Sequence, residues 1–415
     1  MRMTNAVVGG GVLLLAMLAG CASEPARWRE GVNAHIERYR KGDAQITVVD
    51  GSGRALANVP LNIEQTSHAF PFGGAISRGF LGNAKWQEAF KQHFNCAVFE
   101  NETKWYSNEG AAGRVNYRDA DALLAWCAAN GIPVRGHNVF WEVAKWQQAW
   151  LQPLTGEALR GAMERRLDVV THFRGKLTAW DVDNEALHGD FFTSRLGAGI
   201  VPWMFQQVRQ RDPGAQLFVN DYNILSVDQA YKNTETTAYV KQIRALQTQG
   251  APIDGVGIQG HVWAEDIVRH PARVQQRLAE VAAVGLPIWI TEFDAADANA
   301  GARADKLEVM YRTAFANPAV QGIVMWVFWA GNSWRGADAA LFDQDWTINE
   351  EGRRYEALLA EWTTHAEATT DAAGVARFRG FFGDYRVTRG DTGAVLGTFS
   401  LQPGQQSQRV RIVAQ

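Results

Sequence analysis

Two glutamates, Glu185 and Glu292, close short apolar runs at points where a strand would deliver its last side chains to an open mouth. Each ends in a polar cluster, Trp180-Asp181-Val182-Asp183-Asn184-Glu185 and Thr291-Glu292-Phe293-Asp294. Two carboxyl side chains flanking one bond are what glycoside hydrolysis needs: one protonated, to hand a proton to the leaving oxygen, and one ionised, to attack the anomeric carbon. Different surroundings separate their pKa values. Glu185 is read as the acid/base and Glu292 as the nucleophile, with their carboxyls about 5–5.5 Å apart as retention requires. Alternation along a strand puts Glu292 and Asp294 on one side. His261 ends the preceding run, so an Asp294–His261–Glu292 chain is expected to orient the nucleophile and bias its ionisation. Zinc is the competing use of His137, His188 and His261, but no His-Glu-x-x-His or Cys-x-x-Cys spacing occurs. A serine hydrolase would want Gly-x-Ser-x-Gly, which is absent. No metal and no organic cofactor is expected.

The elements that must position these groups follow from periodicity. Apolar, β-branched or aromatic runs at 70–76, 94–100, 134–140, 177–185, 217–222, 256–262, 288–294 and 323–329 alternate with helical-period segments such as 117–130, 157–173, 234–249 and 272–284. Strand–helix alternation implies parallel strands, and eight units over 67–363 predict an α/β fold, a (β/α)8 TIM barrel, whose catalytic groups lie at the C-terminal strand ends. A doubly wound sheet is the alternative, but the Gly-rich dinucleotide fingerprint is missing after the first strand. Outside the barrel, 44–66 reads as strands around a Gly51-Ser52-Gly53 turn, and 364–415 as short strands separated by Gly and Asp. An isolated hairpin cannot bury a face, so the two segments are expected to join in a small accessory β-sandwich.

A 415-residue chain that is 47% hydrophobic with net charge −3 has material for a large core and nothing that steers it to nucleic acid or an anionic membrane surface. Its 16 Trp residues offer flat apolar faces to core or sugar. Residues 1–20 read as a signal peptide, with Arg2 followed by an apolar stretch too short to span. Leu18-Ala19-Gly20-Cys21 resembles a bacterial lipoprotein signal in which Cys21 is acylated, the alternative being plain secretion. That places the protein in the cell envelope on a lipid anchor, exposed to periplasm or exterior, with 21–43 as a tether and short polar helix. Cys96 and Cys127 sit in apolar runs and read as buried free thiols, the alternative being that they pair in an oxidising compartment. A monomer is expected.

Several motifs in order resemble glycoside hydrolase family 10, the (β/α)8 endo-β-1,4-xylanases, over roughly 70–362. They are Phe70-Pro71-Phe72-Gly73, Glu100-Asn101-Glu102-Thr103-Lys104-Trp105, Arg135-Gly136-His137 with Trp141, the two glutamate clusters, Gln259 with His261, and Trp326 with Trp334-Arg335. Phe140-Trp141-Glu142, Asn184-Glu185-Ala186-Leu187-His188-Gly189 and Arg379-Gly380-Phe381-Phe382-Gly383-Asp384-Tyr385 are similar to the plant branch. The resemblance implies retaining cleavage of internal xylan bonds, with xylan or xylo-oligosaccharides as partners. By it, Glu100, Asn101, Lys104 and His137 grip sugars on the non-reducing side, and Trp141 belongs to the same third-strand segment. Trp326 and Trp334, with Arg335, wall the reacting sugar. Asn184 bonds its 2-hydroxyl, Gln259 lies by the acid/base, and Tyr222 contacts the leaving side. The same mechanism on another β-glycan or a decorated xylan, and a carbohydrate-binding lipoprotein without catalysis, are the alternatives. One departure stands out: where many members follow the Trp with His-Ser-Gln, Trp141 is followed by Glu142-Val143-Ala144-Lys145, so the Gln that normally touches the next sugar is missing.

Overall fold

The computed structural model describes residues 24–225, 234–263, 267–404 and 407–414. The signal segment and Cys21 lie outside them. Sixteen strands run in chain order: β1 Lys41–Val49, β2 Pro60–His68, β3 Phe72–Ile76, β4 Cys96–Phe99, β5 Val134–Trp141, β6 Ala179–Asn184, β7 Gln216–Asp221, β8 Gly255–Ile258, β9 His261–Val262, β10 Ile288–Ala295, β11 Val320–Met325, β12 His365–Thr369, β13 Val375–Phe381, β14 Gly383–Arg389, β15 Val395–Leu401 and β16 Ser407–Val413. Strands β3–β8, β10 and β11 pair in parallel sequence, and β11 returns to β3 through Ile323↔Phe72 and Val324↔Gly73, closing an eight-stranded barrel. The two-residue β9 extends the sixth barrel strand and pairs with the end of β10, Asp294↔His261. Most of these strands are buried along their whole length, as parallel strands covered by helices must be.

The barrel interior is not wholly apolar. Ala75, Val98, Phe218, Trp289, Val324 and Trp326 fill much of it. Among them Arg135 lies with its guanidinium carbon 4.6 Å from the Phe218 ring centroid and 4.7 Å from that of Trp289. Its Nη2 donates to Asp181 Oδ1 at 3.0 Å, both residues being buried. Register shifts near the barrel mouth, between His137 and Phe140 on β5 and between Asp181 and Asp183 on β6, re-aim the side chains there. Two adjacent-strand contacts need glycine for close approach. A Cβ on Gly136 would sit 2.3 Å from Trp180 Cε3, and one on Gly322 2.6 Å from Trp289 Cε3.

The flanking segments join as expected. β1 pairs antiparallel with β13 and parallel with β16, while β2 lies between β12 and β14, with β15 outside β14. Ala44, Ile46, Val48, Leu61, Ile63, Tyr385, Val387 and Ile412 form the core between the two sheets. The strands reach beyond the 44–66 expected, since β1 begins at Lys41 and β2 ends at His68. The described part of the 21–43 segment begins at Glu24 and is docked on the barrel side. It forms a helix, Glu24–Arg40, whose Trp28, Val32 and Ile36 recur every four residues and enter the barrel-side core. At its end Arg40 donates to the carbonyls of Phe315, Asn317 and Val320 at 2.6–2.8 Å. Cys96 and Cys127 are free and buried.

Gly136→Ala should destabilise the protein by about 1–3 kcal/mol, because Trp180 cannot give way without disturbing β6. Thermal unfolding tests this, and an unchanged melting temperature would mean that the close contact carries no constraint.

Candidate active site

The C-terminal ends of the barrel strands surround a cavity of about 670 Å³, within the range of small-molecule sites. Glu100, Asn101, Lys104, His137, Trp141, Asn184, Glu185, Tyr222, Gln259, His261, Glu292, Trp326 and Trp334 all line it. Asp294 and Arg335 stand behind the lining. Asp294 is fully buried; its Oδ1 lies 3.0 Å from His261 Nδ1, and its Oδ2 accepts from Trp334 Nε1 at 2.9 Å. Arg335 was expected to touch substrate. Its guanidinium instead bonds Asp294 Oδ1 and the Val262 carbonyl, because a buried carboxylate at the end of β10 needs a cation.

Glu292 is held from several sides. His261 Nε2 is 3.5 Å from Oε2, and Asn220 Nδ2 donates to Oε1 at 2.7 Å. His137 bonds Asp181 Oδ2 through Nδ1 at 2.9 Å, and the same nitrogen lies 3.8 Å from Glu292 Oε1, near enough to act by charge but not as a hydrogen bond. Burial alone would raise the Glu292 carboxyl. The His137 and His261 side chains and Lys104 outweigh it and hold the group down at about 2. Burial likewise opposes a charge on His261, yet Asp294 and Glu292 carry it up to about 9. An Asp–imidazolium–Glu chain results.

Glu185 occupies the opposite situation. It follows β6 with φ of 60°, a conformation seldom adopted by a residue with a side chain. The strain is pinned by Glu185 N–H to Asn220 O at 2.8 Å and by Asp221 Oδ2, which accepts from Leu187 N at 2.8 Å. Burial raises its pKa, and the nearby Glu292 and Asp221 charges add to that. Gln259 Nε2, donating to Oε1 at 3.0 Å, and the Trp141 indole oppose it without reversing the shift. One cleft therefore holds a carboxyl biased to stay protonated and another biased to stay ionised.

Asn220 joins the two sides. Besides Glu292 it donates to Asn184 Oδ1 at 2.9 Å, and its own Oδ1 accepts from Thr291 Oγ1 at 2.6 Å. Asn184 Nδ2 is buried and has no partner among the described residues. Lys104 is buried, with Nζ 4.8 Å from the Trp141 ring centroid, and Tyr222 stacks on His188 at 3.7 Å. Glu142, in the stretch that departs from the family pattern, does not face the cleft: it is fully buried and accepts from Phe192 N at 2.7 Å. In the sequence Asn220 and Asp181 each look like one more polar residue at a strand end; only the fold shows which carboxylate or imidazole each meets. Lys145, Trp146 and Trp263 also line the cavity. Their loop positions carry no periodic signal. Among the described residues no cluster of His, Cys, Asp and Glu could hold a metal ion.

Residues 62–357 match the model of glycosyl hydrolase family 10. Among curated relatives, "Anti-sigma-I factor RsgI6" of Acetivibrio thermocellus is 46% identical over 363 residues, 87% of this chain and 46% of that protein. "Endo-1,4-beta-xylanase 1" of Arabidopsis thaliana is 38% identical over 379 residues, 91% of this chain and 39% of that protein. The chain thus spans half or less of the length of either relative. Among solved structures, native xylanase 10B from Thermotoga maritima superposes with a TM-score of 0.63 at 25% identity, covering 71% of this chain and 95% of that one. Xylanase 10B from Thermotoga petrophila, solved with xylobiose, superposes equally at 0.63 and 24% identity, over 71% of this chain and 94% of that one; at that identity the likeness speaks to fold.

Replacing His261 with Ala should raise the pKa of Glu292 from about 2, since the imidazolium that favours its ionised form is lost. Carbon-13 NMR titration of labelled glutamate reads this directly; an unmoved resonance would remove His261 from the set of groups holding the carboxylate.

Proposed function

The chain belongs to glycosyl hydrolase family 10, and from that premise we propose that it is an endo-β-1,4-xylanase that cleaves internal xylan bonds by double displacement with net retention. Glu292 attacks the anomeric carbon while Glu185 protonates the leaving oxygen. Glu185 then takes a proton from water, which releases the sugar from Glu292. The observation that carries this reading is the opposite bias of the two carboxyls in one cleft, Glu185 raised and Glu292 held at about 2.

Contacts within the site and the family resemblance support the remaining roles. His261 and Asp294 position and charge-balance Glu292, and Arg335 acts through Asp294 rather than on the sugar. Asn184 Nδ2, without a partner among the described residues and in the cavity that both glutamates line, is a donor for the 2-hydroxyl of the reacting sugar, a bond that strengthens as charge develops. Glu100, Asn101, Lys104, His137 and Trp141 form the glycone side, Trp326 and Trp334 wall the reacting sugar, and Tyr222 meets the leaving side. We also assign Cys21 as a lipid attachment site, which would hold a monomeric enzyme on the cell envelope; palmitate labelling of the wild type against Cys21→Ser tests that assignment.

Glu292→Gln should abolish turnover of xylo-oligosaccharides, and Glu185→Gln should cost about 10²–10⁴-fold in kcat. Proton NMR of the first product should show the β anomer; an initial α anomer would mean inversion and remove Glu292 from the nucleophile's role. The pH profile carries a sign as well. Activity should fall on the alkaline side as Glu185 loses its proton, and on the acid side only as Glu292 is protonated near about 2. Because Gln259 hydrogen-bonds the ionised form of Glu185, Gln259→Leu should move the alkaline limb of kcat/KM upward, and a downward shift would contradict the assignment.

A further inference from the structure

Three tryptophans are the exposed aromatic side chains of any size among the described residues, Trp146 at 44%, Trp263 at 48% and Trp334 at 50%. All three line the catalytic cavity. Exposed faces this large mark a binding surface more readily than a packing accident. They divide between two rims. On one, Trp263 and Trp334 meet at 5.8 Å, with the Arg335 guanidinium 3.7 Å from the Trp263 ring centroid. That cation is already committed to Asp294. On the other, Trp146 stacks on Trp141 at 5.2 Å and 21°, and Lys145 Nζ lies 4.9 Å from the Trp146 ring centroid.

The second rim differs in its charge. Glu100, Glu185 and Glu292 face Lys104 and His261 inside the cleft. Lys145 also lines the cavity, is exposed, and forms no ion pair with a described residue. Its turn is fixed rather than loose. Gln147 Nε2 donates to the Trp141 carbonyl, Gln152 Nε2 to the Ala144 carbonyl at 2.5 Å, and Trp146 N to Val143 O at 3.1 Å. Buried Glu142 anchors the start of the turn to Phe192 N. A cation beside an open indole face, on a rigid rim, matches one kind of sugar: a pyranose with an apolar C–H face and a carboxylate. Lys104 already offers the neutral main chain a cation inside the cleft, so a second, exposed cation on the rim suits a charged substituent better.

We propose that Lys145 and Trp146 form a rim subsite for a uronic acid substituent on the polysaccharide main chain, with Trp146 under the sugar face and Lys145 on its carboxylate. The inference rests on the xylanase reading and narrows its substrate class to acid-decorated xylan. Because Trp146 reaches the catalytic groups through Trp141 and Lys104, the substituent belongs to the glycone side.

Binding tests it apart from turnover. In Glu292→Gln protein at low ionic strength, calorimetry should find a xylo-oligosaccharide bearing one uronic acid bound about two- to fivefold tighter than its linear parent, the range of an exposed ion pair. The preference should persist with Lys145→Arg, vanish with Lys145→Ala and reverse with Lys145→Glu. Equal preference in the parent and Lys145→Glu proteins would overturn the inference, as would failure to bind either saccharide. Cleavage without the preference leaves the hydrolase reading standing alone. The preference without cleavage by the protein carrying Glu292 retains the subsite and sinks the hydrolase reading.

Discussion

An ionised carboxylate taken out of water is costly unless charge and hydrogen bonds return what hydration supplied, and the arrangement around Glu292 is organised by that cost. His261 touches it and is itself kept charged by Asp294. Asp294 in turn needs Arg335 and the Trp334 indole. From the opposite side Arg135 bonds Asp181, and Asp181 bonds His137. The barrel interior therefore contains a polar column running up to one oxygen pair. Removing any member leaves the next one buried and uncompensated, which is why these residues act as a unit rather than as separate contacts.

Glu185 is left outside that column. Its principal side-chain bond comes from Gln259, a neutral donor, and among the described residues no ion pair is made to it, Lys104 acting on it only by charge across the cleft. Two identical side chains thus acquire opposite tendencies from what the adjacent strands supply. Asn220 sits between them, bonded to Glu292 and to Asn184, so the positions of both sides of the cleft share one support.

Much of this was legible in the sequence for physical reasons. Strands covered on both faces must be apolar throughout, so the charged ends of the runs at Glu185 and Glu292 stood out. The Asp294–His261–Glu292 contact followed from strand alternation together with the place of His261 at the end of the preceding run. Pairing of the terminal strands followed from the inability of a hairpin to bury a face. Contacts set by three-dimensional neighbours were not legible. Arg335 follows Trp334 in sequence and was grouped with it, yet its partner is Asp294. The stretch after Trp141 showed a missing Gln but not what its own side chains do: the turn buries Glu142 against Phe192 and brings Lys145 and Trp146 to the cleft. The 21–43 segment read as polar because the exposed helix face outnumbers Trp28, Val32 and Ile36.

The interleaving of β1 and β2 with β12 to β16 sets an order of events during synthesis. Lys41 to His68 leave the ribosome before any barrel strand, yet the strands they pair with begin only at His365. At typical elongation rates of about 5–20 residues per second, those two strands wait on the order of tens of seconds while the whole barrel is made. Throughout that interval they present unpaired strand edges. The charged residues they carry, Lys41, Asp43 and Glu64, discourage premature pairing with another chain. The β-sandwich is therefore the last part of the fold that can close.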